Sequence, residues 1–193
     1  MELFGDQYRI DSTRLRKHDY SRGVYFVTIC TKYQWHEFGE VVDKEMQLNN
    51  VGRIAEKYWQ EIPDHFDNVI LDEWTIMPNH VHGVIFIGTN SMDMGVETDV
   101  MSVETRHGAS LQHCKQRKFG PLQKDSLSLI VNQFKGSVTR WCRKNNFNDF
   151  QWQPRFYDHI IRNREGLSQI RKYIRNNPRN WERDRNNQKG LYM

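Results

Sequence analysis

Hydrophobic residues fall into blocks along the chain, and their spacing predicts strands and helices in turn. The first block, 24–31, is dense in β-branched and aromatic residues, which is typical of a buried strand. From Asn49 or Asn50, either of which suits a helix cap, apolar residues recur at helical spacing as far as Ile62, and Pro63 ends the run. The pattern predicts a strand followed by an amphipathic helix.

Two more strands are predicted in the middle of the chain. They cover 69–77 and 80–87, and only Pro78-Asn79 separates them, which predicts a hairpin. Residues 88–124 are poor in large apolar side chains and mix Gly, Ser, Thr and Met with a basic cluster. We expect this stretch to be a long flexible connection.

The last third of the chain predicts a helix, a strand and a second helix. The first helix runs from about Ser126 to Asn145, and the strand spans 153–161. The final helix carries apolar residues at i, i+3 and i+7 and should stop near Asn177, because Pro178 disfavours helical geometry in the residue before it. We expect the tail, 182–193, to be disordered, since it is rich in Arg and Asn.

This order of elements predicts an α+β fold. It resembles a ferredoxin-like βαββαβ core with an antiparallel sheet and helices on one face, followed by an additional C-terminal helix. The length, 193 residues, fits a single domain over 1–193, and the sequence has no internal repeat. Such a core hosts many activities, so it fixes no function by itself.

Composition excludes several classes of protein. No run approaches the roughly 18 consecutive apolar residues that a membrane span needs, and the segment 1–10 alternates charged with apolar residues where a signal peptide would be apolar. We therefore expect a cytoplasmic protein with no membrane partner. Cys30, Cys114 and Cys142 lie far apart without a CxxC pair, which argues against a disulfide framework and a thiolate zinc site.

The net charge of +4 is unevenly distributed. Residues 135–193 hold 14 Lys and Arg against 5 Asp and Glu, whereas residues 1–134 hold 14 against 19. Basic residues interleaved with Trp and Tyr suit a phosphate backbone with exposed bases. The C-terminal third therefore favours a nucleic-acid partner without establishing one.

Two histidines head the third predicted strand. Residues i and i+2 of a strand point to the same face, so His80 and His82 would present two imidazoles side by side. Neutral imidazole binds divalent metals well, and a rigid strand loses little entropy on metal binding. An HxH pair alone is weak evidence, because two such residues are more often ordinary surface or half-buried histidines.

The sequence around this pair resembles a known family. Met77-Pro78-Asn79-His80-Val81-His82-Gly83-Val84-Ile85 is similar to the motif of HUH nucleases, and more narrowly to that of single-tyrosine transposases of insertion sequences and their REP-associated relatives. In that family two histidines flank an apolar residue, and a nucleophilic tyrosine follows on a late helix. Segments 152–162 and 170–178 look like the family's late strand and its tyrosine-bearing helix, which ends in Asn-Pro.

The resemblance implies a set of site residues. Tyr173 is the implied nucleophile, and His80, His82 and Asn177 are the implied protein ligands of Mg²⁺ or Mn²⁺. The spacing agrees with this, since residues i and i+4 share a helix face and an ion near Asn177 would lie near the Tyr173 hydroxyl.

Other residues could fill the same roles. Tyr157 is a rival nucleophile, although the alternation around it predicts a strand, and His159 could replace Asn177 as third ligand. Asp72 and Glu73 could reach an ion from the neighbouring strand. Without the resemblance, Tyr173 itself would be read as a structural tyrosine on an amphipathic helix.

The resemblance further implies a metal-dependent single-stranded DNA endonuclease and strand transferase, acting through a 5′-phosphotyrosine intermediate at hairpin-associated sites. Its partner would be single-stranded DNA with a hairpin, and a homodimer remains open, since dimers are common among the mobile relatives. The side chains expected to contact DNA are Arg140, Arg143, Lys144, Trp152, Arg155, Arg162, Arg171, Lys172 and Arg175.

Two hypotheses from other classes remain. One is a catalytically silent nucleic-acid-binding module, which has no need of His80, His82 and Tyr173 together. The other is a metal-dependent phosphodiesterase with a water nucleophile, which needs the histidines and a general base such as Glu73 but makes no demand on Tyr173.

Overall fold

The computed structural model describes residues 18–89, 125–184 and 186–187, together with the backbone of 3–4 and 7–8. The strands in this part of the chain are β1 (Leu3–Phe4), β2 (Gln7–Tyr8), β3 (Gly23–Cys30), β4 (Gly39–Val42), β5 (Glu45–Leu48), β6 (Val69–Met77), β7 (His80–Ile87) and β8 (Tyr157–Ile161). The helices are α1 (Asn50–Gln60), α2 (Ile62–His65), α3 (Leu127–Lys144) and α4 (Arg164–Asn176), with 3-10 turns at Lys32–Gln34 and Pro178–Arg183.

The central sheet has four strands in the order β6-β7-β3-β8, and every neighbouring pair is antiparallel. Among these four strands the first in the chain is central and pairs with the third and the fourth, which is the order of a ferredoxin-like sheet. The other two sheets in the described residues are the hairpins β1-β2 and β4-β5. The α+β prediction is confirmed.

The two faces of the sheet carry different helices. Val81, Ile85 and Ile87 of β7 point into the larger core, which α1 and α3 cover. Val84 and Phe86 point the other way, into a smaller core that α4 covers with Leu167, Ile170 and Ile174. The prediction that the helices of the core lie on one face of the sheet holds for α1 and α3. The additional helix α4 lies on the opposite face.

Gly83 lets the middle of the sheet lie close to α1. A Cβ at this position would sit 2.2 Å from Cζ2 of the buried Trp59 indole, which is far inside van der Waals contact. A glycine is required here because a neighbouring ring occupies the volume of any side chain. The Trp59 ring of α1 thus packs directly against the β7 backbone at Gly83, the residue that follows His82.

Helix starts follow the sequence closely, and one helix end does not. Asn49 caps α1 by accepting a hydrogen bond from Gly52 N, and Ser126 caps α3 in the same way from Leu129 N. However, α1 ends at Gln60, and Pro63 lies in the first turn of α2. The prediction that Pro63 ends the helix is wrong, because a first turn leaves its N–H groups unbonded in any case and so accepts proline.

The last strand of the sheet is shorter than predicted. It begins at Tyr157, whereas Trp152 makes only an isolated bridge to Thr31. Between them, Pro154 has no N–H to give to a ladder, and Arg155 has φ +67°. The hairpin β4-β5 was not predicted at all, since Asp43 and Lys44 adopt positive φ without a glycine to mark the turn.

Helix α4 ends where expected, but the chain stays helical. Asn177 has φ −60° and ψ −45°, and a 3-10 turn starts at Pro178. In the predicted disordered tail, 182–184 and 186–187 are described, and Asp184, Asn186 and Asn187 are buried. The rest of that tail, and 90–124 of the predicted connection, lie outside the described residues. Across the described ranges, no helix is long and apolar enough to cross a membrane.

Candidate active site

His80 and His82 lie on the α4 side of the sheet, as the strand periodicity predicts. Both side chains are buried, with exposed fractions of 0% and 1%, and their ring centroids are 4.3 Å apart. They belong to the same face of β7 as Val84 and Phe86. Two imidazoles are therefore held together in a place that solvent barely reaches.

Asn79 fixes the tautomer of His80. Its Nδ2 donates to two backbone carbonyls, Gln34 O at 3.0 Å and Asn186 O at 2.7 Å, so its Oδ1 must be the atom facing His80 Nδ1 at 2.8 Å. Since Oδ1 only accepts, His80 Nδ1 carries the hydrogen, and the lone pair of the ring is on Nε2. This is the tautomer of a histidine that binds metal through Nε2.

His82 is oriented from the neighbouring strand. Thr28 on β3 is its cross-strand partner, and Thr28 Oγ1 lies 2.9 Å from His82 Nδ1. With the hydrogen on Nδ1, the threonine accepts, and Nε2 presents its lone pair to α4. There the Tyr173 hydroxyl lies 3.2 Å from His82 Nε2, across 91 residues of sequence.

Tyr173 and Asn177 arrive together from α4, as i and i+4 residues on one face. The Tyr173 hydroxyl also lies 3.4 Å from Asp184 Oδ2, and Asn177 Nδ2 donates to the same oxygen at 3.0 Å. The amide is almost fully buried, and Asn177 Oδ1 has no hydrogen-bond partner in the described part of the chain. An unbonded buried acceptor beside two imidazoles suits a bound cation.

Asp184 completes the cluster, and the sequence analysis missed it. His80, His82 and Asp184 each offer a ligand atom within 4.8 Å of the others, and all three are buried. The residue was overlooked because it lies in the segment expected to be disordered. Trp181, three residues earlier, is the sequence signal that could have found it, because disordered segments contain few aromatic residues. In the structure its indole is buried and lies 6.0 Å from the His80 ring.

The donor set fits a divalent metal ion. It comprises two imidazole nitrogens from His80 and His82, a carboxylate oxygen from Asp184 and the amide oxygen of Asn177. Mixed nitrogen and oxygen ligands suit Mn²⁺ and Mg²⁺ better than a thiolate-preferring ion. The cluster is therefore a group that could hold a divalent ion.

A cavity of about 630 Å³ opens onto this cluster. Tyr173, Asn177 and Asp184 line one part of it, and Tyr157 and His159 of β8 line another. Tyr173 is 42% exposed and lines the cavity, so a ligand in the cavity can reach it, while its hydroxyl contacts the buried cluster. Of the alternatives named above, Tyr157 and His159 face this cavity but are not members of the buried His-His-Asp cluster.

Asp72 and Glu73 hold helix α4 instead of an ion. Asp72 accepts two hydrogen bonds from the Arg171 guanidinium, at 2.7 and 3.0 Å, and Glu73 accepts one from Arg175 at 2.9 Å. The hydrogen bond and charge of Glu73 raise the pKa of Arg175. Both pairs tie α4 to strand β6, so the structure gives these carboxylates a positioning role.

The candidate DNA-contacting residues are spread over both faces of the sheet. Those on α3 lie on the face of the sheet opposite Tyr173, and those on α4 lie on the same face as Tyr173. The exposed members on α3 are Arg140, Arg143 and Lys144, and the exposed members elsewhere are Arg155, Arg162, Lys172 and Arg175.

Trp152 differs from the rest of that set. Its ring packs 5.2 to 5.6 Å from those of Phe38, Phe134 and Phe150, and its Nε1 donates to Lys135 O. The structure supports core packing for this indole. Lys135 closes the same region by donating from Nζ to Gln153 O and Arg155 O, and burial lowers its pKa to about 8.

A sequence relative and solved structures are similar to this chain. No family model matches the chain. An uncharacterized protein of Haemophilus influenzae is 37% identical over 174 residues, which cover 90% of each chain. Among solved structures, a REP-associated tyrosine transposase bound to a REP hairpin aligns over 88% of this chain and 74% of that chain, with 16% identity and a TM-score of 0.53. A candidate transposase from Deinococcus radiodurans aligns over 86% of this chain and 97% of that chain, with 17% identity and a TM-score of 0.39.

The first structural alignment covers most of the chain and matches the architecture predicted from the sequence resemblance. The resemblance is thereby confirmed at the level of the fold. The chain belongs to one family with the Haemophilus influenzae protein and has the fold of the REP-associated tyrosine transposases.

Proposed function

We propose that the chain is a metal-dependent single-stranded DNA nickase and strand transferase of the HUH single-tyrosine transposase type, with Tyr173 as its nucleophile. The observation that carries the proposal is the 3.2 Å contact between the Tyr173 hydroxyl and His82 Nε2. A phenol, a pair of imidazoles and a buried carboxylate meet at the wall of one cavity. A nucleophile beside potential metal ligands in one cavity is the arrangement that an active site for phosphoryl transfer requires.

Four residues would hold the metal. They are His80 and His82 through Nε2, Asn177 through its unbonded Oδ1, and Asp184 through a carboxylate oxygen. Mg²⁺ and Mn²⁺ both suit this set, and two imidazoles tilt the preference toward Mn²⁺. When bound, such an ion stabilises negative charge on a phenol oxygen and on phosphate oxygens.

The residues of the chain supply the covalent step. Tyr173 Oη attacks the phosphorus of a phosphodiester and loses its proton, and Asp184 Oδ2, 3.4 Å away, is placed to accept that proton. The bond from phosphorus to the 3′ oxygen breaks, and the departing oxygen takes up a proton from solvent and leaves as a 3′ hydroxyl. Attack by a 3′ hydroxyl reverses the step and restores the phenol, so joining needs no ATP.

Single-stranded DNA beside a hairpin is the proposed substrate. The solved REP-associated tyrosine transposase is bound to a REP hairpin, which supports the same class of DNA here. A phosphodiester in a flexible single strand can enter the cavity more easily than one in a stiff duplex. The exposed Lys172 lies on α4, on the same face of the sheet as the cavity, and could contact the phosphate backbone, whereas Arg162 is exposed directly after β8.

A covalent adduct assay tests the proposal. A labelled DNA hairpin with single-stranded flanks is incubated with the protein and Mn²⁺ and run on a denaturing gel. We expect a protein–DNA adduct that Tyr173→Phe abolishes. Tyr157→Phe is the matched control, because Tyr157 is the rival nucleophile and lines the same cavity, and it should leave the adduct intact.

The other two functions give different gels. A phosphodiesterase with a water nucleophile would cut the DNA without an adduct, and Tyr173→Phe would still cut. This outcome is disfavoured by the structure, since its expected base, Glu73, is paired with Arg175. A silent binding module would retard the DNA on a native gel and leave it uncut.

A further inference from the structure

Two aromatic side chains just after β3 project from the surface. Tyr33 and Trp35 have exposed fractions of 63% and 55%, the largest among the large hydrophobic side chains of the described residues. Their ring centroids are 5.5 Å apart, and their planes are inclined at 50°. Neither ring belongs to the hydrophobic clusters that hold the described sheet and helices together.

The backbone that carries these rings is strained. Tyr33 has φ 56° and ψ 16°, and Gln34 has φ 55°, so two consecutive residues with side chains adopt the left-handed region. That conformation favours glycine or asparagine, and a bulky residue there is uncommon. Strain of this kind persists where surrounding contacts impose it, and it is concentrated at functional sites.

Two buried residues, Thr31 and Asn79, hold this conformation by hydrogen bonds. Thr31 Oγ1 donates to Trp35 O at 2.7 Å, and Asn79 Nδ2 donates to Gln34 O at 3.0 Å. Asn79 is the residue whose Oδ1 fixes the tautomer of His80. The strained turn and the metal-binding imidazole therefore share one anchor, and both lie at the end of the sheet where β3 ends and β7 begins.

We propose that Tyr33 and Trp35 form a stacking platform for unpaired bases of single-stranded DNA close to the scissile phosphate; this inference rests on the proposed function. Aromatic rings held rigidly at a surface bind bases of any identity, since every base has a π face. Lys32 Nζ lies 5.0 Å from the Tyr33 ring centroid and donates to Gln151 Oε1, which places a cation beside the platform for the adjoining phosphate.

The size of the platform favours DNA over a protein partner. A stable protein interface buries about 800 Å² on each partner, much more than two side chains offer. Two exposed rings are, in contrast, enough for one or two bases to stack on. A single strand whose phosphate lies in the cavity also brings its neighbouring bases near the residues that surround the cluster.

Binding without chemistry tests the platform. The anisotropy of a labelled single-stranded oligonucleotide is measured in EDTA, where no cleavage competes, for Tyr33→Ala, Trp35→Ala and the wild type. We expect each variant to bind about 5- to 100-fold more weakly, as for the loss of one stacked base. Phe147→Ala is the matched control, since Phe147 is also an exposed aromatic residue but stacks on Trp141 of α3, and it should bind like the wild type.

Abasic substitution identifies the contact. Removing one base from the oligonucleotide while keeping its phosphate should weaken binding by the wild type and have no further effect on the Trp35→Ala variant. The slope of log affinity against log salt should be unchanged in both variants, because the rings touch no phosphate. Additive effects of the abasic site and the substitution, or a binding loss equal to that of Phe147→Ala, would overturn the platform.

A stability measurement separates function from folding. Asparagine tolerates the left-handed region, so Tyr33→Asn should melt at the same temperature as the wild type or higher, and should still bind DNA more weakly. A lower melting temperature with unchanged affinity would show that the ring is structural and overturn the proposal. Failure of the adduct assay with intact platform binding would refute the strand-transfer chemistry alone, and the reverse result would refute the platform alone.

Discussion

Thr28 Oγ1 on β3 lies 2.9 Å from His82 Nδ1 on β7, so one strand orients the imidazole that its neighbour carries toward Tyr173. Such support for a ligand's outer nitrogen typically changes metal affinity by about 10- to 100-fold. We expect Thr28→Val, which keeps the shape and removes the hydroxyl, to weaken Mn²⁺ binding by that factor in isothermal titration calorimetry.

The same rung of the sheet offers a control. Thr75 on β6 is the cross-strand partner of His82 on the other side, and its hydroxyl faces the Met77 sulfur. Thr75→Val should therefore leave Mn²⁺ affinity unchanged. Equal losses in the two variants would mean that packing of the strands, and not the hydrogen bond of Thr28, sets the affinity.

Asp184 should matter for the ion and for the position of the tyrosine. Asp184→Asn keeps the size of the side chain but removes its charge, and we expect weaker Mn²⁺ binding together with fewer covalent adducts at saturating Mn²⁺. Glu182→Gln is the matched control, since Glu182 is exposed in the 3-10 turn that ends just before Asp184. Wild-type Mn²⁺ affinity in Asp184→Asn would remove the carboxylate from the proposed ligand set.

The two ion pairs of α4 should differ in their contribution to stability. Arg171 and Asp72 are mostly buried and form two hydrogen bonds, so Asp72→Ala should lower the free energy of unfolding by about 1–3 kcal/mol. Glu73→Ala breaks a pair whose Arg175 side chain is mostly exposed, and its effect should be much smaller. Urea denaturation measures both, and equal losses would contradict the difference in burial.

Lys135 gives the fold a specific pH dependence. Burial lowers its pKa to about 8 from an ordinary value near 10.5, so above pH 8 the folded protein binds fewer protons than the unfolded chain. Stability should therefore rise with pH from 8 to 9, by at most about 1 kcal/mol, because solvent partly screens this half-exposed ammonium.

The difference between wild type and Lys135→Met isolates this effect. Both are unfolded in urea at pH 7, 8 and 9, and the stability difference should move in favour of the wild type as pH rises. Burial raises the pKa of the Cys142 thiol to about 11, so between about pH 9 and 11 the folded protein keeps a thiol proton that the unfolded chain has lost. Stability then falls as pH rises, and the series therefore stops at pH 9. A difference that is constant from pH 7 to 9 would refute the shifted lysine.

Each chain should cut with its own tyrosine. Tyr173 contacts His82 of the same chain in this structure, so a complete set of residues lies within one copy. Mixing the inactive variants His82→Ala and Tyr173→Phe should therefore yield no adduct. Recovery of activity in the mixture would show that copies exchange their α4 helices.

What the sequence predicted at the site rests on short-range geometry. His80 and His82 share a face because they are two residues apart on a strand, and Tyr173 and Asn177 share one because they are four apart on a helix. Which strand and helix face each other came from the family resemblance. Asp184 could not be found in this way, since its place depends on the 3-10 turn after Pro178.

Long-range packing explains the remaining differences. Trp152 was expected among the DNA contacts because an indole suits both base stacking and a core, and only its neighbours decide between them. Phe38 and Phe134, which pack on it, are over a hundred residues and about twenty residues away in the chain. The turn at Asp43 and Lys44 was missed because both residues adopt positive φ, and the sequence has no glycine there to indicate it.

The Trp59 indole packs directly on the β7 backbone at Gly83, and the two histidines lie on the opposite face of the same strand. A change in the hydrophobic core that displaces Trp59 would shift β7 and, with it, both imidazoles. Substitutions around this ring in this chain should then alter Mn²⁺ binding, although Trp59 lies on the opposite side of the sheet from the histidines. Residues of the hydrophobic core on one face of the sheet can thus change the position of the histidines on the other face.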